Sequence, residues 1–261
     1  MMNQSIFVGF LSTFLPMFAI ANPIGAVPVF LSLLKSPEKP TEPPEPRRMP
    51  DESEEHYQLK RSELKAYEIK YQQYLEECKK YKQHSREQAK QTAIFVFIVL
   101  AVFLFGGKAI LEHFDISLGV LRIAGGIIVA KIGWTLAVAN TTLTKEEKEA
   151  AQAKDNISFT PMAIPMISGP GAISLVISLT EEVNEWTAYL SSFMAIAFLS
   201  LLVWLCLRSS EYLNQVIGDD GMGALKRVFG FFVLAIAVQL IVNGILGVLE
   251  AYQQVLFAVA N

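Results

Sequence analysis

Two long apolar runs in this chain are interrupted by helix-breaking residues, and the two interruptions match. Asn22-Pro-Ile-Gly25-Ala-Val-Pro28-Val-Phe-Leu-Ser-Leu33 recurs in altered form as Ser168-Gly-Pro-Gly171-Ala-Ile-Ser174-Leu-Val-Ile-Ser-Leu179. In hydrocarbon every backbone N–H and C=O must be satisfied internally, so a spanning segment is a helix or part of a closed barrel. A break in such a helix is tolerated only where protein or a water-filled cavity receives the freed groups. Matched breaks in two apolar segments are therefore a strong sequence pointer to a solute site near the bilayer midplane.

The 261 residues are 52% hydrophobic and 18% charged, and these averages hide two unlike parts. Residues 35–90 are charged and polar, whereas almost all the rest is apolar. Six spans are predicted, at about 5–34, 91–111, 117–139, 157–180, 186–207 and 225–249, each reaching the roughly 20 residues a spanning helix needs. The expected order is span one (1–34), a Pro-rich and heptad-patterned insert (35–90), spans two and three (91–139), a linker (140–156) and spans four to six (157–261). Met1 to Ser5 hold no Lys or Arg, and the apolar run continues past Ala19-Ile-Ala21, so the start reads as an uncleaved span. Cys78 and Cys206 lie in the insert and in a span and offer no disulfide framework. His56, His84 and His113 have no ligand-like spacing, so no metal site and no cofactor are expected. Nor is there a basic stripe interleaved with aromatics that would suggest nucleic acid.

Orientation follows from Lys and Arg, which favour the cytosolic side. The loops after spans one and three carry 13 and 3 of them, the loop after span five together with the first residues of span six carries 3 (Arg208, Lys226 and Arg227), and the opposite side carries only Lys108. Both termini are therefore expected outside and residues 35–90 in the cytosol. With three spans per half, the halves are then inverted relative to each other. A second pair of segments supports the repeat: Arg122-Ile-Ala-Gly125 with Ala130 in span three, and Arg227-Val-Phe-Gly230 with Ala235 in span six, at one constant offset of 105. The fold class expected is an all-α membrane protein of six helices in two inverted three-helix repeats, with helices one and four broken mid-membrane.

Pro removes a backbone donor and clashes with the preceding turn, and Gly weakens the same turn. Pro23 and Gly25, and Gly169, Pro170 and Gly171, should each start a new half-helix. Its free N–H groups and positive dipole end favour an anion, and a carboxylate is the obvious ligand. Asn22 and Ser168 stand before the breaks, where they can cap the half-helices or bond the ligand. Gln239 and Asn243, four apart in span six, either line the same site or bond between helices. Small residues at Gly119, Gly126 and Gly133, and at Gly223, Gly230, Ala237 and Gly244, repeat every seven positions and are read as close helix packing. Arg122 and Arg227 are read as anchors near span ends. Lys131 has Ile236 at its repeat position and either snorkels to the cytosolic face or serves function, as intramembrane charges do by default. No Asp or Glu falls in a span's apolar core, so an intramembrane carboxylate relay is poorly supported; coupling to sodium or protons stays open.

In the insert, six prolines between 36 and 50 predict a stiff linker. Leu64, Tyr67, Tyr71, Tyr74, Cys78 and Tyr81 then follow heptad spacing, read equally as a helix packed on its own domain or as a dimerising coil. A homo-oligomer or a cytosolic partner through residues 54–90 is left open on that account.

These motifs resemble the MarC/SnatA family of six-span inner-membrane proteins. The likeness rests on Ala21-Asn-Pro-Ile-Gly-Ala-Val-Pro28, Leu121-Arg-Ile-Ala-Gly-Gly126, Pro161 to Ala172 and Gly230 to Gly244. The resemblance implies a bacterial or archaeal plasma-membrane protein that transports small neutral amino acids such as glycine, alanine or serine. The insert and Lys131 depart from the family's usual pattern. The sequence reading is thus a secondary transporter working by alternating access, with the substrate carboxylate at the half-helix N-termini. The alternative is a non-transporting membrane scaffold or sensor acting through the insert. An enzyme is not expected: no membrane-depth His or Asp could partner a serine, and no Gly-x-Ser-x-Gly occurs.

Overall fold

A computed structural model describes residues 2–34, 54–138, 156–181 and 186–260. The predicted Pro-rich linker at 36–50, and all of the 140–156 linker but its last residue, lie outside the described residues. Every regular element among the described residues is helical. In chain order these are α1 (Met2–Ala21), α2 (Pro23–Leu33), α3 (Glu54–His113), α4 (Leu118–Val138), a wide-turned segment α5 (Ser158–Ile167), α6 (Pro170–Glu181), α7 (Trp186–Arg208) and α8 (Ser210–Ala260). Five stretches are long and apolar enough to cross a membrane, and α5 with α6 makes a sixth if that bent pair is one span. The chain forms two compact units, residues Met1–Leu33 with Gln88–Asn261, and Leu34–Glu87.

In the first unit, local chemistry sets the helix ends. The C-terminus of α3 closes through Asp115, which takes the left-handed conformation (φ 54°). The Ile116 N–H donates to the Leu111 carbonyl at 3.0 Å and the Asp115 N–H to the Glu112 carbonyl at 3.3 Å. That is the paired bonding that satisfies orphan carbonyls at a helix end. Ser117 then receives the Val120 N–H at 3.4 Å and starts α4, so α3 and α4 follow each other through a minimal turn. Within α8, Gly218 sits at φ 70°, ψ 169° and divides the helix. Only glycine, without a Cβ, adopts that region readily.

The central contact is α4 against α8, and it is made of the predicted small-residue stripes. A Cβ on Gly119 would stand 2.8 Å from the Gly244 carbonyl oxygen, one on Gly126 2.9 Å from that of Ala237, and one on Gly133 3.0 Å from that of Gly230. The three pairs run in opposite directions along the two helices, so the helices are antiparallel. Lipid tails are as apolar as leucine, so helices in a membrane associate through close packing, and small residues let the backbones approach. Gly223, assigned to the same stripe from sequence, has nothing within 4 Å and lies outside the seam. Around this pair, α6 packs on α4 and α2 on α8, while α1 packs on α7. Gly125 leaves room for Ser174, whose hydroxyl crosses from α6 to donate to the Leu121 carbonyl at 2.9 Å. On α7, Ile196, Leu199, Val203 and Leu207 are fully buried at helical spacing, while Phe198, Leu201 and Leu205 on the other face are exposed. An apolar exterior of this kind is at home in hydrocarbon.

In the second unit, Tyr67 and Tyr71 of α3 stack at 5.8 Å between ring centroids and Tyr71 meets Tyr74 at 6.0 Å, so part of the heptad seam is occupied by its own tyrosines.

The seam makes a direct prediction. Gly126→Leu drives side-chain atoms into the Ala237 carbonyl and should destabilise the protein by about 1–3 kcal/mol or more. Gly223→Ala should be neutral or slightly stabilising, because it meets nothing and favours the helix. Thermal melting of the detergent-solubilised chain checks both; equal melting of the two variants would remove the seam from that role.

Candidate functional site

The first unit encloses a half-open cavity of about 470 Å³, within the ~300–1,000 Å³ usual for small-molecule sites. One wall is the α1–α2 junction, with Ile20, Asn22 and Gly25. A second is one face of α4, where Ile128, Lys131, Ile132, Thr135 and Leu136 follow the 3–4 spacing of a single helical stripe. The remainder comes from α5 (Pro161, Pro165, Met166) and from Pro170, the first residue of α6.

The α1–α2 junction is a cap built from three consecutive requirements. Asn22 takes φ 42°, a left-handed value that asparagine tolerates better than most residues. Its side-chain Oδ1 accepts the Gly25 N–H at 3.1 Å, three residues into the next helix. Pro23 fills the first helical position, where a missing N–H costs least. A Cβ on Gly25 would lie 2.7 Å from the Asn22 Cγ, so glycine is what allows the amide to fold back over the helix start. This break is shallow. The Asn22 N–H still reaches the Phe18 carbonyl at 2.9 Å, and the Ala26 N–H the Asn22 carbonyl at 3.1 Å. Ile6–Leu33 accordingly remains one span of 28 residues.

The second break is deeper. Prolines cannot donate, and they push the preceding residue out of the helical region. Thr160 (φ −125°, ψ 119°) and Ile164 (φ −124°, ψ 128°) are extended ahead of Pro161 and Pro165. The Ile157 carbonyl, which Pro161 cannot serve, takes the Met162 N–H at 3.2 Å; the Ala163 carbonyl takes the Ser168 N–H at 2.8 Å. Both bonds span five residues, which gives the wide turns of α5. The pair α5–α6 bends by 58°. The start of the segment is held by α3: Gln88 Oε1 accepts the Ile157 N–H at 3.0 Å, and Gln91 Oε1 accepts from the Asn156 side-chain amide at 2.9 Å.

The structure brings together some of the residues expected from sequence and separates others. Asn22, Gly25 and Pro170 line the cavity. Pro23 is buried beside it, as the start of α2. Ser168 is wholly buried, and its hydroxyl has no hydrogen-bond partner among the described residues. Gly169 lies against the Pro165 carbonyl, and Gly171 packs against Val129 of α4, so these two glycines serve close packing next to the cavity rather than its lining. Gln239 and Asn243 bond to each other at 2.7 Å on an exposed face of α8, away from the lining residues. Their bond lies within one helix, so the structure places them in neither of the two roles read from sequence.

Sequence reasoning passed over Thr135, and it left Lys131 between two readings. The signal was present in the α4 stripe, which combines a cation and a hydroxyl with isoleucines at the spacing of one face. The prolines of α5 carried a second signal, since Pro161 and Pro165 stand four apart and open the cavity's far wall.

Comparison with known proteins follows the same ground. Residues 75–249 match the family described as MarC family integral membrane protein. An inner membrane protein MarC of Salmonella typhimurium (strain LT2) is 31% identical over 178 residues, covering 63% of this chain and 80% of the relative. Its counterpart in Escherichia coli (strain SMS-3-5) is 30% identical over the same length. No solved structure matches. The family match takes in the α4, α5 and α6 walls of the cavity and begins after the α1–α2 wall.

The cap can be tested residue by residue. Asn22→Ala loses the Oδ1 bond and with it the local hydrogen bonding that makes positive φ tolerable for asparagine, and should cost about 1–2 kcal/mol. Asn22→Gly keeps the backbone freedom and should lose only a few tenths. Equal melting temperatures for the two variants would show that the left-handed backbone does not matter at this position, and melting of both at the wild-type temperature would show that the bond does not either.

Proposed function

Because the chain belongs to the MarC family of integral membrane proteins, we propose that it is a secondary transporter of small neutral amino acids such as glycine, alanine and serine. The observation that carries this reading is the cavity bounded by the starts of α2 and α6, at the two matched interruptions of the sequence. Each helix start carries the equivalent of about half a positive charge; at α2 the Gly25 and Ala26 N–H groups are already taken by Asn22, so its contribution is the dipole. A substrate carboxylate placed between the two helix starts is attracted by both. The substrate's ammonium group can meet the Asn22 side chain or carbonyls released by the prolines of α5. The cavity's modest volume favours small side chains.

Alternating access needs two halves that rock against each other about a fixed site. The packing pairs support such halves. The contact of α4 with α6 has a counterpart in α8 with α2. The ring contacts of α1 with α7 (Phe14 with Phe198, 5.1 Å) have one in α3 with α5 (Phe95 with Phe159, 5.1 Å). The antiparallel α4–α8 seam would then be the shared axis. In this reading both termini lie outside, residues 35–90 lie in the cytosol, the chain performs no chemistry on its solute, and a sodium or proton gradient drives it.

The experiment is counterflow of labelled glycine and alanine in proteoliposomes, with and without sodium and with pH gradients. Saturable exchange is expected. Thr135→Leu, which places apolar bulk on the cavity face of α4, should reduce it at least tenfold without lowering the melting temperature. No exchange under any gradient, from protein that melts cooperatively, would overturn the transporter reading in favour of a scaffold acting through the 35–90 insert.

A further inference from the structure

Among the described residues that line the cavity Lys131 is the only ionisable one, and it stands in the middle of the lining stripe of α4. Ile128 precedes it by less than one turn and Thr135 follows by just over one, so its side chain leaves the helix on the cavity side. The Thr135 hydroxyl is occupied by the Lys131 carbonyl at 2.9 Å, which leaves the ammonium group as the strongest donor on this wall. Among the described residues no carboxylate lines the cavity to neutralise it. Lys131 is exposed along the open side of this half-open cavity, and a cation there attracts an anion brought in from outside. The two helix starts opposite add positive potential of the same sign.

A zwitterion brings no net charge. Its carboxylate is attracted, but its ammonium, even where the Asn22 side chain or an α5 carbonyl receives it, enters a cavity that already holds a cation and two positive helix ends. A solute that keeps the carboxylate and replaces the ammonium by a hydroxyl neutralises Lys131 and meets no like charge. Resting on the reading of this cavity as the transport site, the geometry points to Lys131 as the residue that binds the solute carboxylate, and to small 2-hydroxy monocarboxylates as solutes preferred over the amino acids of the same shape. The opposite repeat position is Ile236, so the charge is a property of one half only, and a single substitution removes it.

The test uses two near-isosteric pairs, lactate with alanine and glycolate with glycine, in counterflow with the full chain in phosphatidylcholine vesicles. Wild type is expected to exchange the hydroxy acid at least tenfold faster than its amino acid at equal concentration. Lys131→Ile and Lys131→Met should each cut hydroxy-acid exchange at least tenfold and leave the amino acid as the better solute. Lys131→Arg should keep the wild-type order. A parallel set with phosphatidylglycerol separates a soluble anion from a lipid headgroup. Block of exchange by that lipid only when Lys131 is present, with no hydroxy-acid preference in its absence, would assign Lys131 to the headgroup and overturn the inference. An amino-acid preference in wild type, or a hydroxy-acid preference that survives in both neutral variants, would also overturn it while leaving the transporter reading intact. Absence of exchange for all four solutes overturns both.

Discussion

The arrangement depends on how closely α4 and α8 approach. In water, burial of apolar surface would draw two such helices together; in lipid that force is absent, and contact must come from packing. Gly119, Gly126 and Gly133 on one helix and Gly244, Ala237 and Gly230 on the other remove the side chains that would hold the backbones apart. Once that pair is fixed, the rest of α4 is committed. Gly125 accepts Ser174 of α6, Val129 takes the surface of Gly171, and the stripe from Ile128 to Leu136 is left facing a space that neither neighbour fills. The cavity is thus a consequence of which face of α4 the seam consumes.

What borders that space differs between its two ends. The α1–α2 junction is economical: one asparagine in a left-handed conformation, one proline and one glycine turn the helix start without losing its carbonyl bonds on either side. The α5–α6 segment interrupts the helix more deeply, through two prolines and two five-residue turns, and depends on Gln88 and Gln91 of α3 to hold its beginning. Two interruptions that look equivalent in sequence therefore differ: one leaves Ile6–Leu33 a single span and the other bends its pair by 58°. The reason is local: Pro23 falls at a helix start, where its missing donor is cheap, whereas Pro161 falls where a donor would have been used.

Particular residues mark how far the sequence could be read. The spans and the helical class were legible because apolar length and Lys/Arg placement are properties of consecutive residues. The seam was legible because a spacing of seven returns small residues to one helix face, and it failed at Gly223, which lies beyond the stretch where α4 and α8 touch. Asn22, Gly25 and Pro170, which line the cavity, were conspicuous in the sequence because breakers in hydrocarbon demand an explanation. Gln239 and Asn243 looked alike polar and central, but which face of α8 turns inward depends on α4, and their face turns outward. Lys131 and Thr135 belong to the cavity for the same reason in reverse.

The sequence by itself determined that this is a helical membrane protein, where its apolar helices lie, and that helix-breaking residues stand in two of the apolar runs. It also determined the small-residue stripes, since glycine recurring on a helix face has few other uses in lipid. Only the tertiary structure decided which stripe meets which, that Asn22 caps α2 through Gly25, that the second interruption bends by 58° while Ile6–Leu33 stays one span, and that a lysine rather than a glutamine faces the cavity. Those outcomes depend on the rotation of each helix about its own axis. That rotation is set by contacts between segments far apart in the chain, and no window of consecutive residues contains it.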